Sequence, residues 1–187
     1  LTMDAHNEAD IVREIGKMAA NGSLYKGAKS VMWSTVEHTA LAEAEVEYQE
    51  KESTAVYVKF PVVGEDCTAV VIWTTTPWTL PANRAVALSA DLDYVLLDLG
   101  GRRVLVADAL AEDCAQRFGA ESHEIIGRAK GAALEGLLVV PPFGEAPVPI
   151  VLGEHVTTEA GTGCVHTAPA HGLEDFDMGQ RYGLEVY

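Results

Sequence analysis

Cysteine is scarce and scattered: Cys67, Cys114 and Cys164 are the only three in 187 residues. Separations this large give neither a paired metal-ligand spacing nor a disulfide framework. A reducing, cytoplasmic setting and no metal are therefore expected. No apolar run approaches the roughly 18 residues that cross a bilayer. Leu1 to Asp10 is polar and acidic, unlike the start of a signal peptide, so no membrane partner is expected. Cations are few: 13 lysines and arginines face 28 acids, for a net charge of −15. A field of that sign repels phosphate, which excludes a protein that binds nucleic acid through its overall charge. Any RNA contact has to be local, or supported by another part of a larger protein. The chain opens on Leu1 rather than methionine, and a piece of a longer protein is expected. Gly-x-Ser-x-Gly, the P-loop and the dinucleotide fingerprint are all missing. No cysteine sits in an obvious nucleophile context, so hydrolysis by this chain would use positioned water.

What is present suffices for one domain with an appendage. A hydrophobic content of 48% supports a real core. Glu8 to Ala20 carries Ile11, Ile15 and Met18 at helical spacing, with Asn21-Gly22 as a stop. Ala42 to Tyr48 alternates strictly, which predicts a strand with a glutamate face. Val56, Val58 and Phe60 alternate up to Pro61. Ala69 to Trp73 is continuously apolar and predicts a strand buried on both faces. Ala85 to Leu88, Tyr94 to Leu99 and Arg103 to Ala107 read as strands, the last two joined by a Gly100-Gly101 hairpin turn. Asp108 is expected to cap a helix reaching about Phe118, with Gly119 beyond it. Ile125-Ile126, Leu137 to Val140 and Val148 to Leu152 predict short strands. Glu174 to Tyr182 predicts a helix closed by Gly183. Many short strands with few helices imply a mainly β, α+β fold: a closed β-barrel with peripheral helices. Residues 1–50 form the N-terminal helix and connecting strand, and residues 51–187 the barrel.

Two segments carry the chemistry. Trp73-Thr74-Thr75-Thr76-Pro77-Trp78 places a row of hydroxyls at the end of a buried strand, flanked by indoles. Threonine is common in strands for β-propensity alone. The alternative is that the hydroxyls hold a water or a sugar and the tryptophans wall a pocket or stack on a base. Gly161 to Phe176 packs three glycines, a proline, two histidines and two acids into sixteen residues. Such a run reads as a functional loop rather than an ordinary strand or helix. His166 and His171, five apart with Cys164 and Asp175 nearby, match no familiar metal spacing. Asp175 is either an acid favoured by the following helix dipole or a carboxylate that receives a substrate ammonium.

Together these segments resemble the editing domain of the isoleucyl-tRNA synthetases, the insertion called connective peptide 1. The resemblance runs through Trp33 with Thr39 to Tyr48, Trp73 to Ala85, and Gly161 to Asp175 with Gly179 to Glu185, so it covers nearly the whole chain. The sibling valyl and leucyl enzymes typically show Thr-Thr-Arg-Pro where this chain has Thr75-Thr76-Pro77 preceded by Thr74. The family's ATP-binding signatures, His-Ile-Gly-His and Lys-Met-Ser-Lys-Ser, are absent. The resemblance therefore implies an editing module without the ligation site, needing no cofactor of its own. ATP and magnesium belong to the synthetic site of the parent isoleucine-tRNA ligase. Many family members carry Cys-x-x-Cys after the tryptophan. Here Ser34 to His38 follows Trp33, so no zinc is expected there.

The resemblance implies a monomeric aminoacyl-ester hydrolase acting on the 3′ end of tRNA(Ile) carrying valine, with valyl-adenylate as a further substrate. The remainder of the synthetase chain is its other partner. Thr75 and Thr76 would orient the attacking water or terminal ribose, supported by Thr74. Asp175 would bind the α-ammonium, and His166 would line the side-chain pocket. Trp73 and Trp78 would shape the pocket, and Gly163 and Gly172 would let backbone N–H groups approach the substrate. His171 has no role beyond support, and Cys164 is a small apolar filler. Two other readings remain at this level: a catalytically weak module that binds a tRNA 3′ end, and the editing domain of a sibling class I synthetase.

Overall fold

The computed structural model describes residues 1–144 and 146–186. A helix α1 (Ala5–Ala20) leads to a small hairpin of β1 (Trp33–Ser34) and β2 (Thr39–Ala40). The core strands are β3 (Val56–Pro61), β4 (Thr68–Thr74), β5 (Ala85–Leu88), β6 (Asp93–Asp98), β7 (Arg103–Ala107), β8 (Glu124–Lys130), β9 (Leu138–Val139), β10 (Val148–Leu152) and β11 (Val165–Thr167). Helix α2 (Ala111–Arg117) follows β7, and α3 (Leu173–Tyr182) follows β11. No described helix is long and apolar enough to cross a membrane.

Five strands form one sheet in the order β3-β4-β7-β6-β8, and four form another in the order β11-β5-β10-β9. The fold is α+β and mainly sheet, as expected. No closed cylinder of paired strands is found among the described residues. The sheets join along one edge, where Val62 bridges Val139 and Val140 N–H donates to Pro61 O at 2.8 Å. They meet again where Ala107 N–H donates to Thr162 O at 2.8 Å.

Period-two alternation sorts the core into layers. Between the sheets lie Phe60, Val70, Ile72, Val86, Leu88, Leu105 and Ile150, with Cys164 among them as a buried filler. Burial pushes the Cys164 thiol far above its ordinary value, which keeps it protonated. Val71, Val95, Leu97, Val104 and Val106 face the other way and are covered by Ala111, Cys114 and Ala115 of α2. Ala85, Ala87 and Val151 pack under Met178 of α3. The continuous apolar runs of β4 and β5 are thus explained, since each is covered on both faces.

Several expectations need correction. Ala42 to Tyr48 is not a strand. Glu43–Glu45 makes one 3-10 turn, and the Glu45 carboxylate accepts the Ala42 N–H at 2.7 Å, a local bond that outcompetes extension. Asp108 does not cap a helix by its side chain. It lies in a 3-10 turn, and its carboxylate accepts from Arg128 at 2.6 Å. The glycine-rich run, expected to hold no ordinary strand, contains β11, which pairs antiparallel with β5. The apolar stripe of α1 forms, but none of its residues is buried, and neither is any residue from 1 to 55.

Candidate functional site

Strand β4 delivers the threonines. Thr74, its last residue, is buried, and its hydroxyl oxygen accepts the Thr76 N–H at 3.0 Å and lies 3.3 Å from the Thr76 hydroxyl. That local bond turns the chain out of the strand. Pro77 then starts a 3-10 turn, Pro77–Ala82, where its fixed φ and missing N–H are tolerated. The turn leaves Thr75, Thr76 and Trp78 exposed and drives Thr79 and Leu80 inward.

Thr79 faces His166, the middle residue of β11. Its hydroxyl lies 2.7 Å from His166 Nε2 and donates to Thr76 O at 2.9 Å. A hydroxyl has one hydrogen, and this one goes to the carbonyl. Thr79 Oγ1 must therefore accept from a protonated Nε2. Nδ1 is then the bare nitrogen of a neutral ring, and it accepts from the Asn83 amide at 3.2 Å. The second Asn83 N–H reaches Ala85 O at 2.8 Å. Burial lowers the His166 pKa to about 4, helped by the nearby His171, in agreement with a neutral ring. His166 is thus held in one tautomer and one orientation, at 7% exposure. A neutral ring bonded at both nitrogens is not set to transfer protons.

Asp175 lies in the first turn of α3. Its Oδ2 accepts the Ala168 N–H at 2.9 Å, which ties the helix to the residue following β11. Burial pushes its carboxyl above the ordinary range, while the Ala168 N–H and His155 pull it back. Among the described residues only one hydrogen bond reaches an Asp175 oxygen, so lone pairs remain for a cationic partner. Gly172 precedes α3 with an extended φ of −139°, and a Cβ there would stand 3.4 Å from the Asp175 carboxyl.

One hydrogen-bonded chain, Thr74–Thr76–Thr79–His166–Asn83, therefore joins the two informative segments. Asp175 attaches to the same strand end, two residues beyond His166. Trp73 does not join them. It shares the outer face of β4 with Val71, opposite Thr74, and lies against Gly161, where a Cβ would come within 3.1 Å of its ring. Gly163 serves packing: its φ is +72°, and a Cβ would sit 2.4 Å from the Ala107 Cβ. His171 is exposed. Among the described residues no group of three or more histidines, cysteines and acids could hold a metal.

Thr79 and Asn83 were not singled out in the sequence. Their signals are weak but real. Thr79 lies three residues past Thr76 across a proline, which suits one helical turn, and Asn83 stands immediately before a buried strand. Among the described residues, Asn83 Oδ1, Thr167 Oγ1 and His155 Nε2 are buried without a protein partner.

The family model for class I tRNA synthetases (I, L, M and V) matches residues 1–170. The isoleucine–tRNA ligase of Teredinibacter turnerae is 54% identical over 98% of this chain and 21% of its own length. That of Shewanella amazonensis is 54% identical over the whole chain and 22% of its own length. The chain thus spans about a fifth of these relatives. Among solved structures, the leucyl-tRNA synthetase CP1 structure GlLeuRS-CP1 aligns with a TM-score of 0.59 at 13% identity, over 68% of this chain and 57% of that one. The editing domain of P. knowlesi cytosolic leucyl-tRNA synthetase aligns at 0.57 and 12%, over 69% and 62%. These likenesses show a shared fold. On the match across residues 1–170 and the relatives that align along its full length, the chain belongs to the class I tRNA synthetases of the I, L, M and V group, as a homologue of the isoleucine–tRNA ligases.

Proposed function

We propose that this chain is the editing module of an isoleucine–tRNA ligase and hydrolyses the ester of tRNA(Ile) mischarged with valine, with valyl-adenylate as a further substrate. The observation that carries the reading is the immobilised, neutral His166. A sieve for one methylene has to be rigid and uncharged, because such a difference yields only about 1–3 kcal/mol in an apolar pocket. A ring clamped at both nitrogens supplies such a wall. Asp175 receives the α-ammonium by a charge-assisted bond, using the lone pairs left beside the Ala168 N–H. Thr75 and Thr76, exposed at the strand end, orient water or the terminal ribose, and Thr74 sets their geometry. Trp78, 71% exposed beside them, is available to a terminal base.

An aminoacyl ester is already reactive, so positioning of water supplies much of the rate. The sheets that meet at Val62–Val139 and Ala107–Thr162 act as the barrel on which this site is mounted. The unburied stripe of Ile11, Ile15 and Met18 supports a reading in which α1 packs against the remainder of a longer synthetase. ATP and magnesium act at that enzyme's ligation site, outside this chain.

The test is a panel of tRNAs charged with valine, threonine and leucine. Fastest deacylation of the valyl ester is expected. A threonyl or leucyl preference would reassign the domain to a sibling synthetase. Binding without hydrolysis of any ester would leave a 3′-end binding module.

A further inference from the structure

The outer face of the five-stranded sheet is incompletely covered. Register places Tyr57 beside Trp73 and Lys59 beside Val71 on that face. Helix α2 covers Val95, Leu97 and Val106 and ends at Phe118, whose ring meets Tyr57 edge-on at 5.4 Å and 81°. Beyond it lies a cleft of about 200 Å³ lined by Tyr57, Lys59, Val71, Arg102, Val104 and Phe118, with Leu99.

The charge of this cleft runs against the composition. Acids outnumber bases 28 to 13 in the chain, yet Lys59 and Arg102 are the only charged residues that line it. On this sheet and its helix three cations are neutralised: Arg117 pairs with Asp113, Arg128 with Asp108 and Lys130 with Asp93. Among the described residues, Lys59 and Arg102 make no ion pair and no side-chain hydrogen bond. A second cleft of about 410 Å³ shares Lys59 and Arg102 with the first and is also lined by Arg103, Glu65 and Asp66. Two free cations over an aromatic and aliphatic floor suit a ligand that is anionic at one end and flat and apolar at the other. A nucleotide has that form, and stacking of a base on aromatic rings beside cations is how unpaired RNA is held. The face reaches the glycine-rich segment at its start, where Trp73, next to Tyr57, packs on Gly161.

We propose that this cleft is a second RNA contact that takes one unpaired nucleotide of the substrate tRNA, its phosphate between Lys59 and Arg102 and its base against Tyr57 and Phe118. It supplies the local cation site that a chain of net charge −15 needs to hold a polyanion. The inference rests on the reading of the domain as one that acts on tRNA.

The experiment compares wild type with a Lys59→Gln/Arg102→Gln double variant of the 187-residue chain. Both residues are exposed, and circular dichroism is the check that the variant folds. The variant is expected to raise KM for valyl-tRNA about tenfold, a change of about 1.4 kcal/mol in binding. It is expected to leave kcat, and hydrolysis of a valyl ester of adenosine alone, unchanged. Adenosine 5′-monophosphate titrated onto labelled wild type should shift Tyr57 and Phe118 resonances and should not do so in the variant. An unchanged KM overturns the proposal, as does a cleft that ignores the nucleotide but takes an acidic peptide. If wild type hydrolyses neither ester, the deacylase reading fails, and the nucleotide titration alone decides the cleft.

Discussion

The hydroxyl of Thr79 stands 2.7 Å from Nε2 of His166, across 87 residues of sequence. Because the Thr79 hydrogen is committed to the Thr76 carbonyl, this contact fixes which imidazole nitrogen is protonated. The partner contact from Asn83 completes the clamp.

Removing one side of the clamp should be costly. Asn83→Ala leaves His166 Nδ1 and the Ala85 carbonyl without their donor inside a buried network. Loss of a buried partner costs about 1–3 kcal/mol. A fall in unfolding free energy of that size, measured by urea denaturation, is expected, with nitrogen shifts of His166 changing toward a mixture of tautomers. Unchanged shifts would show that Asn83 does not hold the ring.

Acid should loosen the site. The folded His166 pKa is lowered to about 4, below the ordinary 6.5, so the unfolded chain binds its proton first. Stability from this group is fully present above pH 6.5 and is lost as pH falls from 6.5 through 4. The full loss is at most about 3–4 kcal/mol. Urea unfolding of wild type and His166→Gln across this range isolates the effect. The stability difference between them should shift toward the variant as pH falls, and a pH-independent difference would contradict the neutral ring.

Gly163→Ala should destabilise the fold without touching the proposed chemistry. The new Cβ would lie 2.4 Å from the Ala107 Cβ on a backbone at φ +72°. Overpacking and a strained φ together cost about 2–4 kcal/mol. Gly172→Ala, whose φ is extended, should be milder in thermal unfolding but should disturb deacylation through its 3.4 Å contact with Asp175. Equal melting temperatures for the two variants would contradict the distinction.

Asp175→Asn separates structure from charge. The amide oxygen still accepts the Ala168 N–H, so the melting temperature should stay near that of wild type. The charge for the ammonium is gone, and deacylation of valyl-tRNA should fall by about 100-fold, the equivalent of about 2.7 kcal/mol for a charged hydrogen bond. Near wild-type hydrolysis would remove the ammonium-anchor role.

Much of this was legible in the residues. Continuous apolar runs marked β4 and β5, and Gly100-Gly101 marked the β6–β7 turn, because burial on both faces and positive φ leave direct traces in composition. Ala42 to Tyr48 misled because alternation without a neighbouring strand has nothing to pair with, and Glu45 satisfied the local backbone instead. The glycine-rich run hid β11 because its three strand residues are bounded by glycine and proline. Thr74, Thr76, His166 and Asp175 were visible as chemistry-bearing types. Thr79 and Asn83 were not, because their importance lies in a long-range contact. Trp73 was read with Trp78, yet strand alternation turns it to the opposite face from Thr74.

The most direct measurement is the ratio of deacylation rates for preformed valyl-tRNA and isoleucyl-tRNA, taken for wild type and His166→Ala side by side. Wild type should favour the valyl ester by about tenfold or more, the range that one methylene provides. In His166→Ala the ratio should collapse toward one through faster attack on isoleucyl-tRNA. An unchanged ratio in the variant, or no valyl preference in wild type, would contradict the account.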